Sequence, residues 1–153
     1  MKYCIDTSSL LLAQRAYPAK IFPMVWAQLE KLISDGRLIS SEEVLRELDR
    51  VEDTVAAWAK AHEAMFLPPV EPIQREVTKI MNDFPKLVDQ RLGKSLADPW
   101  VVATAVYVGG CTVVSEEVMS GAERPKIPTV CAANKIDCIR LFDLIRREGW
   151  TFD

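Results

Sequence analysis

Along the chain, short apolar runs of strand length alternate with segments whose apolar residues recur at helical spacing. Tyr3-Cys4-Ile5 reads as a short buried strand that ends in a polar turn, Asp6-Thr7-Ser8-Ser9. After Pro18 and Pro23, residues 24–34 place Val25, Leu29, Leu32 and Ile33 on one helical face, and Gly36 stops that helix. Leu38-Ile39 is a second strand signal, and Ser40-Ser41-Glu42-Glu43 opens another helix. Glu43 stands at capping-box spacing from Ser40 and is assigned to the cap. Helical spacing returns over 54–66, breaks at Pro68, Pro69 and Pro72, and resumes over 73–84 and 86–92. Asp98-Pro99 starts a helix that runs to about residue 108 and ends at Gly109-Gly110. Cys111-Thr112-Val113-Val114 is the third strand, 119–128 a loop rich in Gly, Pro and charge, and Thr129-Val130-Cys131 a fourth strand. Asn134, with Asp137 three residues on, is expected to cap a last helix that reaches Arg147 and stops at Gly149.

Strands separated by helices imply parallel pairing with right-handed crossovers. The expected fold is α/β, a three-layer α/β/α sandwich around a central parallel sheet. A single domain spans 1–153, with a helical excursion at about 54–94. In such sheets the active cleft forms outside the carboxyl ends of the strands. That rule selects the residues worth weighing.

Composition narrows the chemistry. With 153 residues, 49% apolar and 27% charged, the chain can bury a core without a disulfide or metal staple, which excludes disorder and disulfide scaffolds. The net charge of −3 argues against bulk nucleic-acid binding unless basic residues cluster. The single histidine, His62, sits in Ala61-His62-Glu63 and reads as a helix-surface residue. Any catalytic triad or His-ligated zinc would have to use it. Cys4, Cys111, Cys131 and Cys138 form no Cys-x-x-Cys pair and read as small hydrophobes in a reducing compartment. No leader opens the chain, and its longest uncharged run, 99–115, is shorter than the ~20 residues of a membrane span. A cytoplasmic protein with no membrane partner is expected.

At the carboxyl edge, acids accumulate. Asp6 directly follows the first strand, Glu116 and Glu117 follow Ser115 at the end of the third, and Asp98 opens the helix that feeds it. Glu47, in the helix after the second strand, lies on the flank of the apolar arc formed by Val44, Leu48, Val51 and Val55, with Glu52 at a similar angle opposite. Each acid has a structural alternative: Asp98 before Pro99 has the pattern of a helix N-cap, and Asp6 that of a turn cap. As a group they are harder to explain structurally. Carboxylates that converge raise one another's pKa unless a cation compensates, and an oxygen donor set without His or Cys favours Mg²⁺ or Mn²⁺.

These motifs resemble those of the PIN-domain ribonucleases. Tyr3-Cys4-Ile5-Asp6-Thr7-Ser8-Ser9-Leu10 is similar to that family's opening strand, acid and hydroxyl residues. Val44-Leu45-Arg46-Glu47-Leu48 resembles its second motif, and Ala97-Asp98-Pro99-Trp100-Val101-Val102-Ala103-Thr104-Ala105 its third. Val113-Val114-Ser115-Glu116-Glu117 stands where the family has a strand, a hydroxyl residue, one further residue and an acid. The nearest likeness is to VapC-like toxins and a PIN-like branch with an Ile-Pro-x-x-Cys segment, here Ile127-Pro128-Thr129-Val130-Cys131. The resemblance implies a metal-dependent endoribonuclease in which Asp6, Glu47, Asp98 and Glu117 are catalytic and hold the metal. Thr7, Ser8 and Ser115 would support them. It further implies toxin behaviour, an RNA substrate, a cognate antitoxin and a homodimer.

The chain departs from that family in its fourth acid, a glutamate where aspartate is usual. Counting from Ser115 selects Glu117, while the slightly long segment after Asp98 keeps Glu116 open. Lys86, Arg91 and Lys94 before Asp98, and Arg124 and Lys126 after Glu117, are candidates for an RNA path, with solvated surface as the alternative. Trp26, Trp58 and Trp100 read as packing residues. A haloacid-dehalogenase phosphatase would need a second Asp two residues after Asp6, where Ser8 stands. The rival to the nuclease is a PIN-like scaffold that binds RNA or a protein without cutting.

Overall fold

β1 (Lys2–Ile5) is the centre of a five-stranded, wholly parallel sheet of order β3-β2-β1-β4-β5. The computed structural model describes residues 1–51, 53–89, 91, 93, 96–121 and 123–152. The other strands are β2 (Leu38–Ser41), β3 (Phe66–Leu67), β4 (Cys111–Val114) and β5 (Cys138–Ile139). The helices are α1 (Thr7–Ala16), α2 (Pro23–Ser34), α3 (Glu42–Val51), α4 (Asp53–Ala61), α5 (Glu71–Asp83), α6 (Asp98–Val108), α7 (Ile127–Ala133) and α8 (Leu141–Glu148). The architecture is the expected three-layer α/β/α sandwich, eight helices flanking the sheet among the described residues.

A strand covered on both faces reads as a mostly apolar run, and Tyr3-Cys4-Ile5 and Val113-Val114 do. Tyr3, Cys4, Ile5, Val113 and Val114 are all fully buried. Register pairs Cys4 with Ile39 on one side and with Val113 on the other. α6 lies across β1, β2 and β4 and packs outward on α5. Its all-round apolar sequence follows from that central position, with Val101, Val102, Ala103 and Ala105 buried. The described residues between 54 and 89 are built into the same core through Val55, Ala59, Met65, Phe66, Ile73 and Ile80. Trp26 and Trp58 pack edge to face at 5.0 Å, as their helical spacing implied. His62 is not on a helix surface; it lies beyond α4, half-buried against Trp58. No helix among the described residues is long and apolar enough to cross a membrane.

Several elements differ from the sequence reading. The turn expected at residues 6–9 is the start of α1, because the Asp6 carboxylate accepts the Ser9 amide and so caps a helix. Residues 129–131 are helical. Ile127, Val130 and Cys131 recur at i, i+3 and i+4 and are all buried, and Pro128 sits in the first turn, where its missing N–H costs nothing. The residues read as the start of the last helix instead turn back through Lys135 (φ 57°) and form β5, and α8 starts only at Leu141. Phe66 and Leu67 leave a 3₁₀ turn (Glu63–Met65) to form the edge strand β3. The described residues between 86 and 92 are turns and bends with one isolated bridge residue, Asp89, rather than helix. Ser40 donates its hydroxyl to the Ile5 carbonyl (2.5 Å), so the hydroxyl that receives the Glu43 amide belongs to Ser41. Glu52, Leu92 and Lys94, singled out above, lie outside the described residues.

At the opposite edge of the sheet, Glu148 ties α8 to β1 and to the entry of β2. It accepts from the Tyr3 hydroxyl (2.6 Å) and from both terminal nitrogens of Arg37 (2.9 and 2.6 Å). Burial alone would raise the Glu148 pKa, but these donors outweigh it and hold the carboxyl below its usual value. The bridge therefore contributes stability above the unfolded-state carboxyl pKa of about 4.3 and loses it as pH falls through the lower folded value. Glu148→Ala leaves the Tyr3 hydroxyl without its partner and is expected to cost about 1–3 kcal/mol at pH 7. Urea unfolding measures this, and the deficit should shrink as the pH approaches that folded value.

Candidate metal centre

Three carboxylates meet where β1 and β4 leave the sheet. Ligand oxygens of Asp6, Asp98 and Glu117 all lie within 4.8 Å of one another. Asp6 follows β1, Asp98 is the first residue of α6, and Glu117 stands three residues beyond β4. Asp6 and Asp98 are buried and Glu117 is half-buried.

The short hydroxyl residues around Asp6 hold it in place. Ser8 Oγ and the Ser9 amide donate to Asp6 Oδ1 (2.7 and 3.1 Å), and Ser115 Oγ donates to Oδ2 (2.9 Å). Ser115 Oγ also receives the Glu117 amide (3.2 Å), and Ser8 Oγ receives the Glu116 amide (3.0 Å). The hydroxyls of the first and fourth motifs thus lock two distant segments together.

Asp98 does not cap its helix. The N-cap position belongs to Ala97, and no side-chain cap bond forms. Its carboxyl is thereby left for the acidic cluster. Burial pushes the Asp98 pKa well up, and the charges of Glu117, Asp6 and Glu47 push it further. Burial also lifts Asp6 to about 7 in spite of its three donors. Glu117 Oε2 is buried with no hydrogen-bond partner. An ionised oxygen without a donor is costly in a protein interior, and a cation removes that cost together with the mutual repulsion. The donors are all carboxylate oxygens, so the cluster suits a hard divalent cation.

Glu47 stands outside the three-acid group. Thr7 Oγ1 donates to its Oε1 (2.6 Å) and the Ala97 amide donates to its Oε2 (3.1 Å). It clamps α1 and α3 to the residue that precedes Asp98. Glu116 and Glu117 find different partners. Glu116 Oε2 accepts from Ser9 Oγ (2.7 Å) and from the Leu141 amide (2.9 Å) at the start of α8, which leaves Glu117 for the cluster. Lys86, Arg91, Arg124 and Lys126 are exposed.

One residue at this edge escapes a sequence reading. Arg140 follows β5 as Asp6 follows β1, and it lines a cavity of about 250 Å³ together with Ser115 and Glu117. A two-residue strand inside a segment read as helix gives no local signal. The strand-end rule applied to Cys138-Ile139-Arg140 would have found it.

In metal-free protein the raised acids bind protons more tightly when folded, so stability falls as pH rises from about 4 through the folded values. Asp98→Asn removes the acid of this cluster whose pKa is pushed up the most, and with it the cost of keeping that carboxyl protonated above the unfolded-state pKa. Without metal, the variant is expected to melt above the wild type at pH 8, by about 2–4 °C per kcal/mol relieved, with a smaller gap at pH 5. Thermal unfolding in chelator measures both. Mn²⁺ should then raise the melting temperature of the wild type but not of Asp98→Asn. The same titration separates the doublet. Glu117→Gln should lose the Mn²⁺ shift, whereas Glu116→Gln should keep it, since an amide oxygen still accepts from Ser9 and Leu141.

No curated protein matches this chain. Residues 3–152 match the family described as "Domain of unknown function (DUF4411)". With nearly its whole length covered, the chain belongs to the DUF4411 family.

Proposed function

We propose that the protein is a Mg²⁺- or Mn²⁺-dependent endoribonuclease of PIN type that hydrolyses RNA phosphodiester bonds. The observation that carries this reading is the three-carboxylate cluster at the carboxyl edge of a parallel sheet, with an unpartnered buried oxygen on Glu117. Its support in the sequence is the order of the four motifs that contain Asp6, Glu47, Asp98 and Glu117.

Asp6, Asp98 and Glu117 would hold the cation. A bound Mg²⁺ or Mn²⁺ supplies a Lewis acid that lowers the pKa of water and offsets the negative charge of the phosphodiester. Ser8 and Ser115 keep Asp6 oriented through bonds to both of its oxygens. Glu47 acts from one step back: its bond to the Ala97 amide sets where Asp98 begins. Glu117 enters by a longer side chain than aspartate, and the Ser115 bond to its amide fixes the backbone from which it reaches. In this reading the partners are an RNA substrate, a cognate antitoxin that covers the cleft, and a second copy of the chain in a homodimer. Their support is the resemblance of the motifs.

Cleavage of total RNA by the purified protein tests the proposal, run with Mn²⁺, with Mg²⁺ and with chelator. Discrete fragments are expected only with metal. Asp6→Asn should lower their yield by more than the ~10–100-fold typical of changes outside the first ligand shell. Metal-independent cleavage, or equal cleavage by Asp6→Asn, would falsify the assignment.

A further inference from the structure

The cavity beside Glu117 has features that the metal centre does not account for. Its floor reaches Ser115 and Glu117, Val118 and Met119 form one wall, Pro128 contributes from α7, and Arg140 closes the rim. Val118 and Met119 are exposed (58% and 63%) immediately after a residue of the acidic cluster, where a solvated loop would ordinarily be polar. They are held there. The next residue, Ser120, receives a bond from Thr129 Oγ1 at its carbonyl (2.6 Å) and donates its amide back to that oxygen (3.0 Å), which fixes the wall to α7. Arg140 is exposed and forms no ion pair among the described residues. Arg37, Arg46, Arg75 and Arg147 are each paired with a carboxylate, while Arg15, Arg50, Arg91, Arg124 and Arg146 share Arg140's lack of an ion pair among the described residues. What sets Arg140 apart is its place on the cavity beside Glu117.

An uncommitted guanidinium facing a carboxylate-lined metal centre is complementary to a phosphate that bridges the two. Arginine's planar fork suits phosphate oxygens, and a net charge of −3 makes a local cation necessary for holding a polyanion there. An apolar wall beside a phosphate contact suits the face of an unpaired base. The cavity, at about 250 Å³, falls below the ~300–1,000 Å³ of sites for drug-sized ligands, as a subsite for one nucleotide of a longer chain should.

We infer that this cavity is a nucleotide subsite for single-stranded RNA: Arg140 binds the phosphate next to the scissile one, and the base of that nucleotide lies against Val118, Met119 and Pro128. The inference rests on the nuclease reading and adds to it the residues of this chain that grip the nucleotide next to the scissile phosphate. Asp143, also on the cavity, accepts the Arg140 amide at 3.1 Å, so its carboxylate is bonded to the backbone of the same turn.

The test compares wild type, Arg140→Ala, Arg140→Lys and the control Arg15→Ala, which removes an equal charge from the last turn of α1. The probe is a short single-stranded RNA carrying a cut site mapped in total RNA, cleaved with Mn²⁺ over a range of salt. Arg140→Ala should raise KM by about 10–100-fold, the range for a lost charge-assisted hydrogen bond, with kcat and Mn²⁺ affinity little changed. Its dependence of log KM on log salt should be shallower by about 0.7, one phosphate contact on a single strand. Arg140→Lys should recover part of KM and the full salt slope, and Arg15→Ala should match wild type. If wild type cleaves and Arg140→Ala shares its KM and salt slope, the subsite is overturned while the nuclease stands. If Arg140→Ala also loses Mn²⁺ affinity, Arg140 supports the metal centre structurally and the subsite is again overturned. If wild type cleaves no RNA with either metal, the nuclease reading falls and the subsite falls with it.

Discussion

Like charges confined to a buried space set the terms for the rest of this structure. Asp6, Asp98 and Glu117 are drawn within 4.8 Å of one another at the rim between β1 and β4, where water can no longer screen them. The sheet changes direction at this point: the chain passes from β1 to β2 on one side and later places β4 on the other. Crossovers diverge there and leave a crevice at the carboxyl edge, as in other open parallel sheets. The fold supplies the crevice. The acids supply a carboxylate cluster that could hold a metal ion.

Holding that arrangement requires braces, and each brace is a polar bond between segments far apart in sequence. Ser115 and Ser8 secure Asp6, and the amides of Glu117 and Glu116 return to the same two hydroxyls. Glu47 spans Thr7 and the Ala97 amide, and Glu116 spans Ser9 and the Leu141 amide. Residues 6–9 thus bond directly to α3 and to the segment after β4, and through Glu47 and Glu116 they are linked to the starts of α6 and α8. This explains why the opening motif is made of short hydroxyl side chains: each must bond at close range without filling the crevice. At the other end of the sheet, Glu148 performs a comparable closure with Tyr3 and Arg37, outside the acidic cluster.

Much of the fold was legible because the central strands and α6 are apolar on every side, a pattern that survives any local ambiguity. Tyr3-Cys4-Ile5, Leu38-Ile39 and Cys111–Val114 pair as expected, and Asp6, Asp98 and Glu117 converge as the strand-end rule required. The misread elements share a cause. α1 begins with hydroxyl residues that prefer turns, α7 contains the β-branched pair Thr129-Val130, and β3 and β5 are two residues long. In each, local propensity is weak or opposed to the outcome, and burial against the sheet decides.

The strands β1, β2 and β4, their parallel pairing between helices, and Asp6 and Asp98 at the edge were determined by the sequence alone, because burial on both faces writes itself into composition and spacing. Only the tertiary structure decided what each acid does. Glu117 keeps a buried oxygen without a partner and stands with Asp6 and Asp98 in the cluster, whereas Glu47 and Glu116 are taken up by backbone amides and hydroxyls. Arg140 likewise became visible only once β5 placed it at the same rim. A side chain's role depends on which partners remain for it after the backbone has been satisfied, and those partners come from segments as far as 109 residues away, the separation of Asp6 and Ser115.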